Sequence, residues 1–230
     1  VAHIEVQRLI DHREDLQADP TSTEYIAWLH REFCNRLPDE LLWVENPDTG
    51  ERLQVIGGEL RKGWVQVGRH IPPSSEALPR FLHRFGEAYE MKRLSRVRRI
   101  IALGAAHHRL LWIHPFYDGN GRVTRLMSHA SLLRCGVGSS LWSVARGLAR
   151  NVQDYKKLLM AADDPRRGDL DGRGTLSTQA LSDFCAFFMT VCIDQVDFMG
   201  SLLEPSSLLR RMRLHIEEEM QAGTLPKGTF

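Results

Sequence analysis

Two apolar-periodic stretches meet at Pro115, and the twelve residues from His114 to Arg125 that join them constrain the chain more than any other segment. Before the join, Ile100, Ile101, Leu103, Leu110, Leu111, Trp112 and Ile113 are spaced for a buried helix. That helix must stop at His114, because proline disfavours helical backbone in the residue preceding it. After the join, Arg122, Arg125, Leu126, His129, Leu132 and Leu133 recur every three to four positions, which predicts a second helix from near Asn120 to Gly136. The segment therefore reads as a tight bend between two packed helices, with His114 at one helix end and Gly119, Asn120 and Gly121 at the start of the next.

A helix start offers unpaired backbone N–H groups and a partial positive charge, so this bend favours anions. Gly119 and Gly121 allow a phosphate close to the backbone, and Asn120 tolerates unusual turn dihedrals. Arg122 and Arg125 each carry a planar fork of donors suited to phosphate oxygens. Asp118 would repel a polyphosphate unless it holds a divalent cation such as Mg²⁺ that bridges it to the phosphates. The imidazole of His114, with an ordinary pKa of about 6.5, is available as a base for an attacking hydroxyl at neutral pH.

These residues, His114-Pro-Phe116-Tyr-Asp118-Gly119-Asn120-Gly121-Arg122-Val-Thr-Arg125, resemble the signature HxFx[DE]GNGRxxR of Fic-domain proteins and match every specified position. The resemblance implies an all-α, predominantly helical Fic/Fido fold with a small β-hairpin flap. It also implies transfer of AMP from ATP to a protein hydroxyl. In that reading His114 is the base, Asp118 the Mg²⁺ ligand, Gly119, Asn120 and Gly121 the anion hole, and Arg122 and Arg125 the phosphate ligands, with Phe116 as buried support. Glycine at position 121, where the kinase-like branch of the family carries lysine, favours AMP transfer over phosphate transfer.

Three looser likenesses follow. Gly63, Trp64, Val65, Val67 and Gly68 alternate in strand fashion ahead of Pro72-Pro73 and resemble the family's flap. A protein substrate with an exposed hydroxyl would then dock near Gly63–Pro72 by strand addition, a mode permissive enough to include self-modification. The segment 143–159 is similar to the region that closes over the nucleotide base, which implies that Tyr155 stacks on adenine. Ile4-Glu5 resembles the inhibitory-helix pattern [ST]xxxE[GN], although Val1 and Val6 depart from it. If the likeness holds, Glu5 pairs with Arg125 and displaces the γ-phosphate.

The periodicity predicts helices at 1–17, 22–36, 75–92, 96–113, 120–134, 141–162, 177–199 and 205–221, with hairpin structure around 43–72. We read 1–40 as an N-terminal helical region, 41–203 as the catalytic domain and 204–230 as an extension leading to a further module beyond Phe230. At 230 residues and 43% hydrophobic content the chain supports one sizeable core, and a net charge of +1 gives no overall pull toward nucleic acid or membrane. No apolar run is expected to reach membrane-spanning length and no secretory signal is expected at the start, which predicts a cytoplasmic, bacterial-type enzyme, with a homodimer as a further expectation. Cys34, Cys135, Cys185 and Cys192 lack paired spacing and read as reduced core residues. His107 and His108 lack companions for a metal site, and neither common nucleotide-loop motif is present. Two alternatives stay open: transfer of another nucleotidyl or phospho-group, and a regulatory module that binds nucleotide without catalysis and contacts DNA through Arg210, Arg211 and Arg213.

Overall fold

The computed structural model describes residues 1–46, 49–138 and 142–226. Its helices are α1 (Ala2–Asp11), α2 (Thr23–Cys34), α3 (Leu78–Tyr89), α4 (Arg96–Ile113), α5 (Asn120–Arg134), α6 (Val144–Arg150), α7 (Val152–Ala161), α8 (Thr178–Leu202) and α9 (Pro205–Gln221). Strands β1 (Trp43–Glu45) and β2 (Arg52–Gln54) form an antiparallel pair in which Val44 faces Leu53. The fold is thus predominantly helical with one small hairpin, as the pattern led us to expect.

Helices α4 and α5 form the central wall, and each feeds two hydrophobic cores. Ala106, Leu110, Ile113, Val123, Leu126, Met127 and Ala130 face a first core completed by α1, α2 and α3. Leu103 and Leu132 face a second, filled by Trp142, Val144, Leu148, Phe184, Phe188 and Val191. Polar ties cross the first core as well: His129 on α5 donates to Asp11 at the end of α1 at 2.7 Å, and Arg134 reaches Asp15, which also accepts from the Tyr25 hydroxyl at 2.6 Å. Each buried carboxylate here has a hydrogen-bonding partner, which such groups require.

The differences from the expected elements have local causes. Helix α1 ends at Asp11, not residue 17, because Arg13 takes a left-handed conformation (φ 61°) that no right-handed helix continues. The helix expected over 141–162 begins outside the described residues at its first position and is otherwise two helices. Asn151, φ −115° and ψ 35°, breaks it, with its side chain donating to the Gly147 carbonyl at 2.9 Å. Of the hairpin structure expected over 43–72, the paired ladder lies at 43–54; the 61–73 stretch carries a single bridge between Val67 and His70.

Helix α8 corrects the expectation that no stretch reaches membrane-spanning length. Its 25 residues include a window with mean hydropathy 1.3, long and apolar enough by length and composition. Asp183, Asp194 and Asp197 interrupt the run in the sequence, yet Phe184, Phe188, Val191 and Cys192 on one face are buried in the second core. Arg211, expected in a basic tail, turns back from α9 and donates to the Leu202 carbonyl at the end of α8.

Gly104, in the interior of α4, shows how closely α4 and α8 approach. A Cβ there would stand 3.1 Å from the Cys185 backbone and 3.2 Å from its Sγ. Glycine costs a helix interior stability, so its place here is explained by packing. Gly104→Val is expected to lower stability by about 1–3 kcal/mol through overpacking, read as a shift in the urea midpoint; an unchanged midpoint would show that the two helices separate freely.

Candidate active site

His114 ends α4 in a left-handed conformation, φ 51° and ψ 61°, which frees the chain to turn ahead of Pro115. A non-glycine residue in that region is strained and needs its surroundings to hold it. Arg61 does so. Its backbone N–H donates to the Pro115 carbonyl at 2.9 Å, its Nε to the His114 carbonyl at 2.8 Å, and its Nη1 to Gly63, while Nη2 reaches Pro73. One buried guanidinium therefore fastens the 114–120 bend to both ends of the 63–73 segment. His70 adds a second tie, donating from Nε2 to the Trp112 carbonyl at 2.7 Å.

The bend is closed from inside by Asn120. Its Oδ1 accepts from the Phe116 N–H at 3.0 Å and its Nδ2 donates to the Phe116 carbonyl at 2.8 Å. The residue with unusual turn dihedrals is accordingly Gly119 (φ 80°), not Asn120, which is already the first residue of α5 and spends its side chain on the loop. Phe116 is fully buried with its ring stacked on His30 at 3.8 Å between centroids. His30 Nδ1 accepts from the Gly58 N–H at 2.9 Å, so the proton sits on Nε2, next to Cys34 Sγ and the Asp118 backbone. Nothing in the sequence marked His30 or Arg61 as site residues; each touches the bend itself, Phe116 or His114, from 53 or more residues away along the chain.

Helical bonding in α5 starts with Arg122 and Val123 donating to the Gly119 carbonyl. The N–H groups of Asn120 and Gly121 precede that point and lie at the positive end of the helix. Arg122 is half-exposed, pairs with Asp118 at 3.3 Å and lies over the Phe33 ring at 5.2 Å. Arg125 is more deeply buried, and among the described residues it has no carboxylate partner; its guanidinium interacts instead with the Tyr155 hydroxyl. A half-buried cation without a carboxylate partner, beside a helix start, favours an anion.

His114 Nδ1 lies 3.3 Å from the Leu111 carbonyl. A carbonyl only accepts, so Nδ1 carries the proton and Nε2 keeps its lone pair. Burial, joined by the Arg61 charge, lowers the imidazole pKa to about 4, so the ring is neutral at physiological pH. Two separate cavities flank the bend. One, about 400 Å³, is lined by His114, Tyr117, Trp64, Val65 and Gln66 together with the β1–β2 hairpin. The other, about 320 Å³, is lined by Asp118, Arg122, Arg125, Phe33 and the start of α1.

The two remaining candidates lie elsewhere than the resemblance implied. Tyr155 lines neither cavity: its hydroxyl is 2.9 Å from His107 Nε2 and its ring packs beside Phe184 in the second core. Glu5 lies 3.7 Å from Arg36, and no Glu5–Arg125 pair exists among the described ion pairs. The cause is helical phase. Helix α1 buries Ala2, Val6 and Ile10, and at about 100° per residue His3 and Glu5 project to opposite sides of that stripe. His3 is the side chain that α1 turns toward Arg125 and Arg122, whose charges add to burial in lowering its pKa to about 4.

Comparison with known proteins accords with this arrangement. The Fic/DOC family model matches residues 20–132. A protein adenylyltransferase Fic of Drosophila erecta is 40% identical over 82 residues, 36% of this chain and 17% of that protein. Its Drosophila mojavensis counterpart is 39% identical over 126 residues, 55% of this chain and 25% of that protein. The chain thus spans a quarter or less of the length of these relatives. A Fic family protein from Desulfovibrio desulfuricans superposes with a TM-score of 0.61 at 20% identity, covering 86% of this chain and 51% of that one. A Fic-domain signalling protein from Bacteroides thetaiotaomicron gives 0.53 at 18%, covering 85% and 66%. This chain is a Fic-domain protein.

Four histidines, His30 and His107 buried and His3 and His114 half-buried, set an acid limit on the fold. His3, His30 and His114 are held to about 4 and His107 to about 3, chiefly by burial. Between their ordinary value of 6.5 and these values the unfolded chain binds more protons than the folded one, so stability falls as pH falls through that window. Urea unfolding at pH 7 and pH 4.5 is expected to show a lower midpoint at the acid value; equal midpoints would mean that these rings protonate in place.

Proposed function

We propose that the chain is a protein adenylyltransferase, which moves AMP from ATP to a serine, threonine or tyrosine hydroxyl of a target protein, itself included. The observation that carries this reading is the pairing, across one bend, of a neutral imidazole with a free Nε2 and an α5 start bearing a half-buried arginine that has no carboxylate partner among the described residues. The adenylyltransferase relatives support the same class of reaction.

The donor set fits a magnesium nucleotide. Asp118 is a single, half-exposed carboxylate, and the described residues contain no cluster of three ligating side chains. Magnesium is commonly held by one or two carboxylates with phosphate oxygens and waters completing the shell, so Asp118 would hold it together with the nucleotide. When bound, the ion supplies charge neutralisation along the phosphates. The residues of the chain do the rest. The N–H groups of Asn120 and Gly121 and the forks of Arg122 and Arg125 would bind phosphate oxygens, and Asp118, which pairs with Arg122 at 3.3 Å, would hold the cation.

On the other side of the bend, Trp64, Val65 and Gln66 line the cavity into which a target segment would bring its hydroxyl. His114 Nε2 takes the hydroxyl proton as the oxygen bonds to the α-phosphorus, and the bond to the pyrophosphate oxygen breaks. Position and electrostatics carry most of the acceleration, since phosphoryl-type transfer needs little covalent help. The neutral imidazole is available as a base above about pH 4, so transfer is expected to hold its rate through pH 6 rather than fall near the ordinary histidine pKa.

His114→Ala is expected to reduce transfer at least about a hundredfold, the usual contribution of a positioned base, while ATP binding persists. Label on the α-phosphate should enter the target and label on the γ-phosphate should not; γ-label in the product would establish phosphate transfer instead. The phase of α1 yields a second expectation. His3→Ala should change nucleotide affinity more than Glu5→Gly, measured by calorimetry, and the reverse order would return Glu5 to the role of brake on Arg125.

A further inference from the structure

We propose that His107 is a positioning residue for Arg125, acting through Tyr155: a one-way hydrogen-bond chain runs from the Tyr155 hydroxyl through His107 and Ser128 to the Thr124 carbonyl, and it leaves the Tyr155 oxygen as an acceptor for the neighbouring Arg125 guanidinium. The inference rests on the reading above that Arg125 holds phosphate.

The direction of every link follows from proton counting. Ser128 Oγ lies 2.9 Å from the Thr124 carbonyl, which only accepts, so the serine spends its single proton there. The same oxygen lies 2.8 Å from His107 Nδ1 and must therefore accept, which places the imidazole proton on Nδ1. His107 Nε2 is then a bare lone pair. The Tyr155 hydroxyl, 2.9 Å away, must donate to it. With its proton directed at His107, the Tyr155 oxygen turns lone-pair density toward Arg125, the group with which it also interacts. The opposite histidine tautomer would set two acceptors against each other at Ser128 and turn the Tyr155 proton toward the guanidinium.

The setting keeps this tautomer. His107 and Ser128 are fully buried, and Phe188 and Phe184 stand 5.1 and 6.0 Å from the imidazole centroid. Arg125 and His108 are the charged and titratable groups that bear on the ring, and with burial they hold it neutral, at about 3. A protonated ring would lose its acceptor for Tyr155. The chain also joins α4, α5 and α7, so the tyrosine stays in place as long as those helices stay packed. Arg125 gains a fixed acceptor on its inner side, and that acceptor is neutral. A carboxylate in the same position would cancel the charge that the phosphate is to meet; a phenol oxygen orients the fork and leaves the charge available.

The test uses the full chain with Mg²⁺ and ATP in a calorimeter, beside thermal melts. His107→Phe and Tyr155→Phe are each expected to weaken ATP binding about tenfold, the scale of one hydrogen bond to a charged group. The double variant should be no weaker than either single one, and in an Arg125→Ala background neither substitution should weaken binding further. Additive losses, or losses that persist without Arg125, would show a general structural role and overturn the proposal. If His107→Phe does not fold, Tyr155→Phe, which retains ring and packing, carries the cycle. Nitrogen NMR of the parent protein is the independent readout: His107 should show a protonated Nδ1 and a bare Nε2 at neutral pH, and the other tautomer would overturn the chain whatever the affinities. An Arg125→Ala variant that binds ATP as tightly as the parent would instead overturn the phosphate reading.

Discussion

The carboxamide of Asn120, closed on both backbone groups of Phe116, is the interaction on which the rest of the site depends. A loop between two packed helices has few ways to satisfy its backbone, and an unpaired buried N–H or C=O is costly. Asn120 solves this for the narrowest part of the bend. It sets Phe116 beneath His30, puts Gly119 at the turn into α5, and leaves the following N–H groups facing outward. Arg61 secures the other half of the bend by holding His114 in its left-handed conformation and joining it to the 63–73 segment. The anion-binding and the basic features of the site are two sides of one fastened turn.

Electrostatics divides the two arginines between different tasks. Arg122 is half-exposed and already paired with Asp118, so its charge is partly screened and its fork is exchangeable. Arg125 is half-buried with a neutral phenol as neighbour, and its charge is compensated by no carboxylate among the described residues. The difference follows from their spacing: three residues apart on α5, one faces the mouth of the cavity and the other the α7 side. Helix α1 closes over the same region and brings His3 rather than an acid, because the buried stripe of Ala2, Val6 and Ile10 fixes its rotation.

Much was legible along the chain because it depends on local physics. The helical periods of α4, α5 and α9 were read to within a residue or so, and the break at Pro115 follows from sterics alone. Where local signals misled, a tertiary partner had replaced them. Val65 and Val67 alternate as a strand does, yet the stretch is held by Arg61 and His70 in place of a ladder. The run expected to be a single helix over 141–162 breaks where the Asn151 side chain caps Gly147. Asp183, Asp194 and Asp197 divide α8 when its residues are taken in order, whereas the folded helix collects its aromatic residues on one face.

By itself the sequence determined the bend between two helices, the position of a base before it, and the two arginines and one carboxylate after it, since those depend on proline sterics, glycine freedom and helical spacing. Tertiary structure alone decided which nitrogen of His114 is basic, that Tyr155 turns its hydroxyl to His107, and that His3 and Glu5 face opposite ways. Each of these is a relation between groups on different elements, set by how helices rotate to bury their apolar stripes, and no spacing within one element encodes it.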